Sequence, residues 1–199
     1  MKVIVKSLAG LALIILLESF LTFNTTIAKK PGKKHESSIA AVQEPSVTIE
    51  EMNTSEQIIV YVSDSAGSSA EISQKFMKII PIELGGFLKK NNLQMAGPPC
   101  AWYKSNPPPF FFDIGAPVNK MPATTEGRIK VRELPAGKAV VAHYYGPYDK
   151  IAKGYTLTMA WIKEHNKTPI APPYEVYIGD PGIESDPYKV LTNIIFPVK

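Results

Sequence analysis

Hydrophobic and polar positions from residue 57 onward alternate between a strand pattern and a helix pattern. Residues 57–62 are rich in β-branched and aromatic side chains, which indicates a strand. The next apolar residues recur at helical spacing, namely Ile72, Phe76, Ile79 and Ile80. Pro81 interrupts this pattern, so we predict a kinked helix or two short helices. Two further strands are predicted at residues 101–103 and 110–114.

The second half of the chain has the same order of elements. A strand is predicted over residues 138–145, and Asp149 is a good N-cap for a helix that ends near His165. Strands at residues 174–178 and 190–196 complete this half. Both halves therefore read strand, helix, strand, strand.

The two halves also share residues. Residues 87–103 and 161–177 align without gaps at an offset of 74, with five identities in 17 positions. The last strands, residues 113–118 and 193–198, share Ile, Pro and Val. We predict an α+β domain over residues 57–199 built from a duplicated unit, with half-repeats at about 57–120 and 127–199.

One difference between the halves indicates where chemistry lies. In the alignment Glu175 occupies the position of Ala101. Residues two apart in a strand share a face, so Glu175 lies with Tyr177, while Val176 points the other way. We predict that Val176 packs on the helices, and that Glu175, Tyr177 and Tyr103 face the opposite, concave side.

Composition and charge exclude several classes of protein. The chain is 45% hydrophobic, which suits a single buried core, and Cys100 is its only cysteine, which excludes internal disulfides and cysteine-rich zinc modules. The net charge of +4 arises from a basic segment at residues 1–34, an acidic one at 35–57 and scattered charges thereafter. A nucleic-acid-binding stripe is therefore not expected. No metal site is expected, and a monomer and an oligomer are both compatible with the sequence.

The N-terminal residues have the pattern of a targeting segment. Residues 1–28 combine a basic start, an apolar run at 8–17 and a small-residue cleavage site at 26–28. This predicts a cleaved signal peptide and export to the periplasm or cell exterior. The lysines within residues 29–34 favour the alternative of an uncleaved single-pass membrane anchor. Residues 29–56 are mostly polar and read as a flexible linker.

Several motifs carry a resemblance to a known family. They are Leu134–Ala139, His143–Tyr148, the helix end at Trp161, Pro172–Tyr177 and the terminal Pro197–Val198. Together they resemble the GyrI-like small-molecule-binding domain, which is also the effector-binding domain of multidrug-sensing bacterial transcription regulators. The resemblance covers about residues 127–199, with the same order of elements over 57–120. It implies a curved antiparallel sheet with helices on one face and a ligand groove on the other.

The resemblance also implies a binding site. Relatives have a glutamate that meets flat cationic ligands in an aromatic pocket, and Glu175 is the residue that matches it. A carboxylate among rings is costly when unpaired, and a cation restores the pairing with cation–π attraction in addition. The expected ligand-binding residues are Glu175, Tyr177, Tyr103, Tyr144, Tyr148 and Phe112. If the resemblance is set aside, the alternative is that Glu175 is a partly exposed strand residue beside a lysine.

Three functions follow as hypotheses. The first is binding of a small amphipathic, aromatic or cationic molecule, with no cofactor, no nucleic acid and no membrane contact except through residues 1–28. The second is hydrolysis of electrophilic toxins, with Glu175 as general base and Tyr177 or Tyr148 as proton donor. The third, from a distantly similar duplicated fold, is haem binding with His143 as axial ligand.

Overall fold

The computed structural model describes residues 43–199, an α+β arrangement of eight antiparallel strands and three α-helices. This confirms the predicted fold class. The strands are β1 (Ser46–Thr54), β2 (Gln57–Ala66), β3 (Cys100–Tyr103), β4 (Phe110–Val118), β5 (Ile129–Leu134), β6 (Gly137–Tyr145), β7 (Tyr174–Tyr177) and β8 (Leu191–Pro197). The helices are α1 (Ser69–Lys78), α2 (Gly85–Lys90) and α3 (Ala152–Glu164). The strand order is β1-β6-β8-β7-β3-β4-β2-β5.

The helix predicted around Pro81 is divided as expected. Helix α1 begins after Ser68, whose hydroxyl accepts a hydrogen bond from the backbone N–H of Glu71. A π-helical turn at Ile79–Leu84 then separates α1 from α2. Because Pro81 has no N–H and its ring crowds the preceding turn, an ordinary α-helical turn is disfavoured there and the wider π turn takes its place.

Features of the two halves recur at the offset seen in the sequence. Asn92 and Asn166, 74 residues apart, both end a helical segment with positive φ angles, 50° and 53°. Strands β3 and β7, also 74 residues apart, pair with each other at the centre of the sheet, with Ala101 opposite Glu175. The position that differs between the halves therefore lies at the middle of the molecule.

The helices pack on one face of the sheet. Two apolar clusters lie there, one under α1 and α2 and one under α3. A smaller cluster lies on the opposite face and contains Ile59, Cys100, Trp102 and Tyr174. The rings of Trp102 and Tyr174 stack with centroids 5.0 Å apart. Both faces of the central strands are therefore buried.

The predicted assignment of faces in β7 is wrong. Val176 packs in the smaller cluster, away from the helices. Tyr177 packs in the cluster under α1, and Glu175 contacts Tyr155 of α3. The two-residue period was predicted correctly. It could not identify the helix face, because β3 and β7 carry apolar residues on both sides.

The predicted linker is wrong for its last part. Residues 46–54 form β1, which pairs along its whole length with β6. Val47 and Ile49 pack against the cluster under α3. Their alternation was the strand signal, masked by the glutamates and threonines around them. The predicted leader at residues 1–28, and the linker up to residue 42, lie outside the described residues.

The sheet curls away from its helices. Strands β1 and β2 would stand about 29 Å apart in a flat sheet of this order, yet only Ser55 and Glu56 join them, a step of roughly 10 Å. The curl closes one end of the concave face over a depression of about 220 Å³, lined partly by Cys100, Tyr174 and Asn193. The concave face thus has a depression, but Glu175 does not line it.

No helix described within residues 43–199 has both the length and the apolar character needed to cross a lipid bilayer.

Close packing of α3 on the sheet depends on Gly154. A Cβ there would lie 2.6 Å from Cδ1 of Ile194 and 3.2 Å from Cδ2 of Tyr144, both wholly buried. We expect Gly154→Ala to lower the free energy of unfolding by about 1–3 kcal/mol, measured by urea denaturation. The control is Gly86→Ala in α2, where a Cβ meets nothing within 4 Å and should stabilise by up to about 1 kcal/mol. Equal free energies of unfolding for the two variants would contradict the close approach of α3 to the sheet at Gly154.

Candidate functional site: a buried glutamate among tyrosines

A buried carboxylate lies between α1 and α3, at the centre of the sheet. Glu175 is 4% exposed. Its Oε1 accepts a hydrogen bond from the Tyr155 hydroxyl at 2.9 Å, and its Oε2 accepts one from the Tyr177 hydroxyl at 2.8 Å. No lysine, arginine or histidine among residues 43–199 forms an ion pair with it. The alternative of a partly exposed glutamate beside a lysine is therefore wrong.

Burial determines the protonation of this carboxylate. Loss of hydration raises the pKa of Glu175 to about 7, although the hydrogen bonds from Tyr177 and Tyr155 act in the opposite direction. The same burial, with the nearby carboxylate, raises the pKa values of Tyr155 and Tyr177 far above the ordinary range. Both phenols therefore remain neutral donors at physiological pH.

The hydroxyls form a directed chain. Tyr103 and Tyr177 hydroxyl oxygens are 3.0 Å apart. Because Tyr177 donates its proton to Glu175, the Tyr103 hydroxyl must donate to Tyr177. These hydrogen bonds join the two halves of the domain, since Tyr103 lies on β3 and Tyr177 on β7.

Aromatic rings surround the end of this chain. The ring of Phe76, on α1, meets the Tyr177 ring edge to face with centroids 5.0 Å apart. The ring of Tyr148 also meets the Tyr177 ring edge to face, with centroids 5.7 Å apart. Tyr148 is 38% exposed and belongs to a short 3₁₀ turn before α3. We call this site the Glu175 cleft; it comprises Glu175, Tyr103, Tyr177, Tyr155, Tyr148 and Phe76.

The structure brings together four of the six predicted binding residues. Glu175, Tyr177, Tyr103 and Tyr148 are members of the cleft. Tyr144 and Phe112 instead lie wholly buried in the two helix-face clusters. The Tyr144 hydroxyl donates to the carbonyl oxygen of Pro147 at 2.7 Å, and the Phe112 ring packs on Tyr103 at 6.1 Å. These two residues belong to the core, where Phe112 packs on Tyr103 and Tyr144 bonds the residue that precedes Tyr148.

Two members of the cleft are not among the binding residues predicted from the sequence. Phe76 and Tyr155 lie on the apolar stripes of their helices, and such stripes are usually core. Once the site had been assigned to the face away from the helices, no helical residue remained a candidate. The signal that could have found Tyr155 is its hydroxyl, which needs a partner when it is buried.

His143 lies on the concave face, away from Glu175. Its Nδ1 is 2.8 Å from Oδ1 of Asn193, and its Nε2 is 2.9 Å from Oε1 of Glu50. Axial ligation of haem iron would require one of these bonds to break, so the geometry does not favour the haem hypothesis. Within the part of the chain that the structure describes, no three His, Cys, Asp or Glu side chains group as a metal site.

Comparison with protein families gives one decisive match. The GyrI-like small molecule binding domain matches residues 100–199, half of the chain. The chain belongs to the GyrI-like family. This confirms the resemblance carried by the Pro172–Tyr177 motif, and the GyrI-like match includes Glu175 and every cleft residue except Phe76. Comparison with curated protein sequences gives no match.

Solved structures share the GyrI-like fold. The C-terminal domain of EcmrR is 22% identical with a TM-score of 0.66, over 77% of this chain and 98% of that domain. SAV2435 bound to tetraphenylphosphonium is 16% identical with a TM-score of 0.53, over 76% and 94%. A hydrolase from Listeria innocua is 13% identical with a TM-score of 0.53, over 76% and 91%. In the EcmrR–DNA complex the match spans 57% of the EcmrR chain.

Proposed function

We propose that this GyrI-like domain binds a small amphipathic cation with aromatic groups in the Glu175 cleft. The observation that carries the proposal is a buried carboxylate that two tyrosines hydrogen-bond and no cation of residues 43–199 neutralises. Such a group destabilises the folded protein unless something pairs with it. A bound cation supplies that pair.

The surrounding rings select the shape and charge of the ligand. The rings of Tyr148 and Phe76 both meet the Tyr177 ring edge to face, next to the carboxylate that the Tyr177 hydroxyl bonds. A cation over an aromatic ring gains about 0.5–2 kcal/mol where water is excluded. Anionic ligands would lose this attraction and meet the carboxylate as a like charge. Flat or aromatic cations are therefore the ligand class that fits.

The comparisons support the same class of ligand. SAV2435, which shares the fold, has been solved with the aromatic cation tetraphenylphosphonium. The EcmrR C-terminal domain is a separate domain of a protein that has been solved with DNA. For the present chain we propose a small-molecule partner alone, since its charges from residue 58 onward are scattered in sign. Export, or anchoring through residues 1–28, remains part of this proposal.

Access to the carboxylate runs past Tyr148. Glu175 itself is nearly inaccessible, whereas the Tyr148 ring is the cleft residue with a large exposed area. Tyr148 lies on a three-residue turn, and its ring covers Tyr177. We therefore assign Tyr148 to the rim, and propose that a ligand enters by outward rotation of this ring.

The proposal is tested with two ions of the same shape and opposite charge. Calorimetric titration at pH 8 should show saturable binding of tetraphenylphosphonium. Tetraphenylborate should bind at least a hundredfold more weakly, because its charge repels Glu175. Similar affinities for both ions would mean that only apolar contact is recognised, and the role of Glu175 would fail.

A second candidate function is favoured by one observation. A carboxylate with a pKa of about 7 is suited to act as a general base near neutral pH. In that reaction Glu175 would take a proton from a water that attacks an electrophilic carbon, while Tyr148 protonates the leaving oxygen. A structural neighbour from Listeria innocua is described as a hydrolase. Turnover of an epoxide by the wild type, lost in Glu175→Gln, would establish it; no turnover by the wild type would exclude it for epoxides.

A further inference from the structure

Thr192 is a buried polar residue that the fold leaves unpaired. It lies on β8 and is 0% exposed. Among residues 43–199, its Oγ1 is the one buried side-chain oxygen or nitrogen without a hydrogen-bond partner. The Tyr148 hydroxyl is close enough to interact with it, and this contact acts to lower the pKa of Tyr148 against the larger effect of burial, but the two hydroxyls do not form a hydrogen bond of ordinary length and angle. An unpaired buried hydroxyl destabilises a fold, so its presence here needs an explanation.

The register of the sheet places this hydroxyl beside the Glu175 cleft. Thr192 is directly opposite Tyr177, so it shares the helix face with that residue. Glu175 is its diagonal neighbour across the same strand pair, a spacing of roughly 7 Å. One ligand with an aromatic ring between two functional groups can reach both side chains.

Comparison of the two halves supports a role for this position. Tyr103 stands opposite Phe112 on β4, as Tyr177 stands opposite Thr192 on β8. In the first half the two corresponding positions on the helix face are apolar, Ala101 and Phe112. In the second half they are polar, Glu175 and Thr192. At both positions the second half therefore has a polar residue where the first half has an apolar one, and both polar residues lie on the adjacent strands β7 and β8.

We infer that Thr192 is a specificity-determining residue, which hydrogen-bonds a hydroxyl, carbonyl or amide group of the cation held at Glu175. The inference rests on the proposed function, and it adds a neutral polar group to the ligand that function requires. The hydroxyl of Thr192 can donate and accept, so it accommodates either kind of group. The ligand class becomes aromatic cations that carry one hydrogen-bonding substituent.

The test uses a matched pair of cations, tetraphenylphosphonium and (4-hydroxyphenyl)triphenylphosphonium. The wild type should bind the hydroxylated ion roughly fivefold more tightly, as one net hydrogen bond requires. Thr192→Val keeps the shape and should abolish this preference while it leaves affinity for tetraphenylphosphonium unchanged. Thr192→Ser should retain the preference.

A second measurement separates this role from a structural one. Thermal unfolding of the ligand-free protein should show an equal or higher Tm for Thr192→Val, because the variant removes an unpaired group. A clearly lower Tm, or a Tm loss that Tyr148→Phe reproduces without adding to it, would show that Thr192 bonds within the fold and would overturn the inference.

The binding outcomes are equally decisive. Equal affinity of the wild type for the two cations, or equal weakening of both by Thr192→Val, would overturn the role of Thr192 and leave the proposed function intact. If the wild type binds neither cation, the proposed function fails, and the inference fails with it.

Discussion

Glu175→Gln is expected to weaken binding of tetraphenylphosphonium roughly a hundredfold at pH 8. The substitution keeps the size of the side chain and removes the charge that pairs with the cation. Without ligand, the same variant should be more stable than the wild type, because it no longer holds an unpaired charge in a buried site. Loss of binding together with a gain in stability is the signature of a residue retained for function.

The matched control is Glu164→Gln, which removes an exposed carboxylate from α3. It should leave both affinity and stability unchanged. Calorimetry measures the affinities, and urea denaturation at pH 8 measures the free energies of unfolding. If Glu175→Gln lowered stability while it left affinity unchanged, the carboxylate would be a structural residue, and the account of the cleft would be wrong.

The second expected result is a decrease in the free energy of unfolding as the pH rises from about 4.5 to about 7. The pKa of Glu175 is raised from 4.5 to about 7 by burial in the folded protein. Between these values the unfolded chain has released its proton and the folded chain keeps it, so the free energy of unfolding decreases with rising pH. The full decrease is about 3 kcal/mol, reached above pH 7.

Binding should follow the opposite trend. The cation pairs with the ionised carboxylate, so its affinity should rise roughly tenfold per pH unit up to about pH 7 and then level off. Glu175→Gln should remove this dependence of affinity on pH, and it should remove the corresponding part of the stability profile. Urea denaturation and calorimetry between pH 5 and pH 8 check both trends. A wild-type affinity independent of pH over this range would contradict the assignment of the carboxylate.

The position of Glu175 could be singled out from the sequence because the two halves of the domain can be compared with each other. Glu175 stood where the other half has Ala101, and the structure pairs these two positions at the middle of the sheet. Tyr103 and Tyr177 followed from strand phase. The prediction that these side chains share a face needed only the two-residue period and the alignment, which do not depend on what covers the sheet; their role in ligand binding was implied by the resemblance to the GyrI-like family.

The face of the site required information that local patterns lack. Cys100, Trp102 and Tyr174 are buried on the concave face, so both faces of the central strands lie in apolar surroundings. That second layer lies inside the curl of the sheet, which the two-residue connection between β1 and β2 requires. Curl is a property of the complete strand order, so the pattern of a single strand does not identify the side on which Glu175 lies.

The residues that the helices contribute to the site were also not predicted, because local patterns do not show what a helix contacts. Tyr155 lies on a stripe that looks like ordinary core, and only the contact with Glu175 identifies its hydroxyl as part of the site. Tyr144 shows the converse, since its position beside a Gly-Pro turn suggested a pocket edge. The close approach of α3 at Gly154 buries it completely.

The most direct test of the account is a pH titration of the Glu175 side-chain carboxyl by ¹³C NMR, with and without saturating tetraphenylphosphonium. Without ligand, a pKa of about 7 is expected for Glu175. With ligand, a hundredfold preference of the cation for the ionised form should lower the pKa to about 5. A pKa that stays the same or rises when the cation binds would show that the ligand does not pair with Glu175, and would contradict the proposed function.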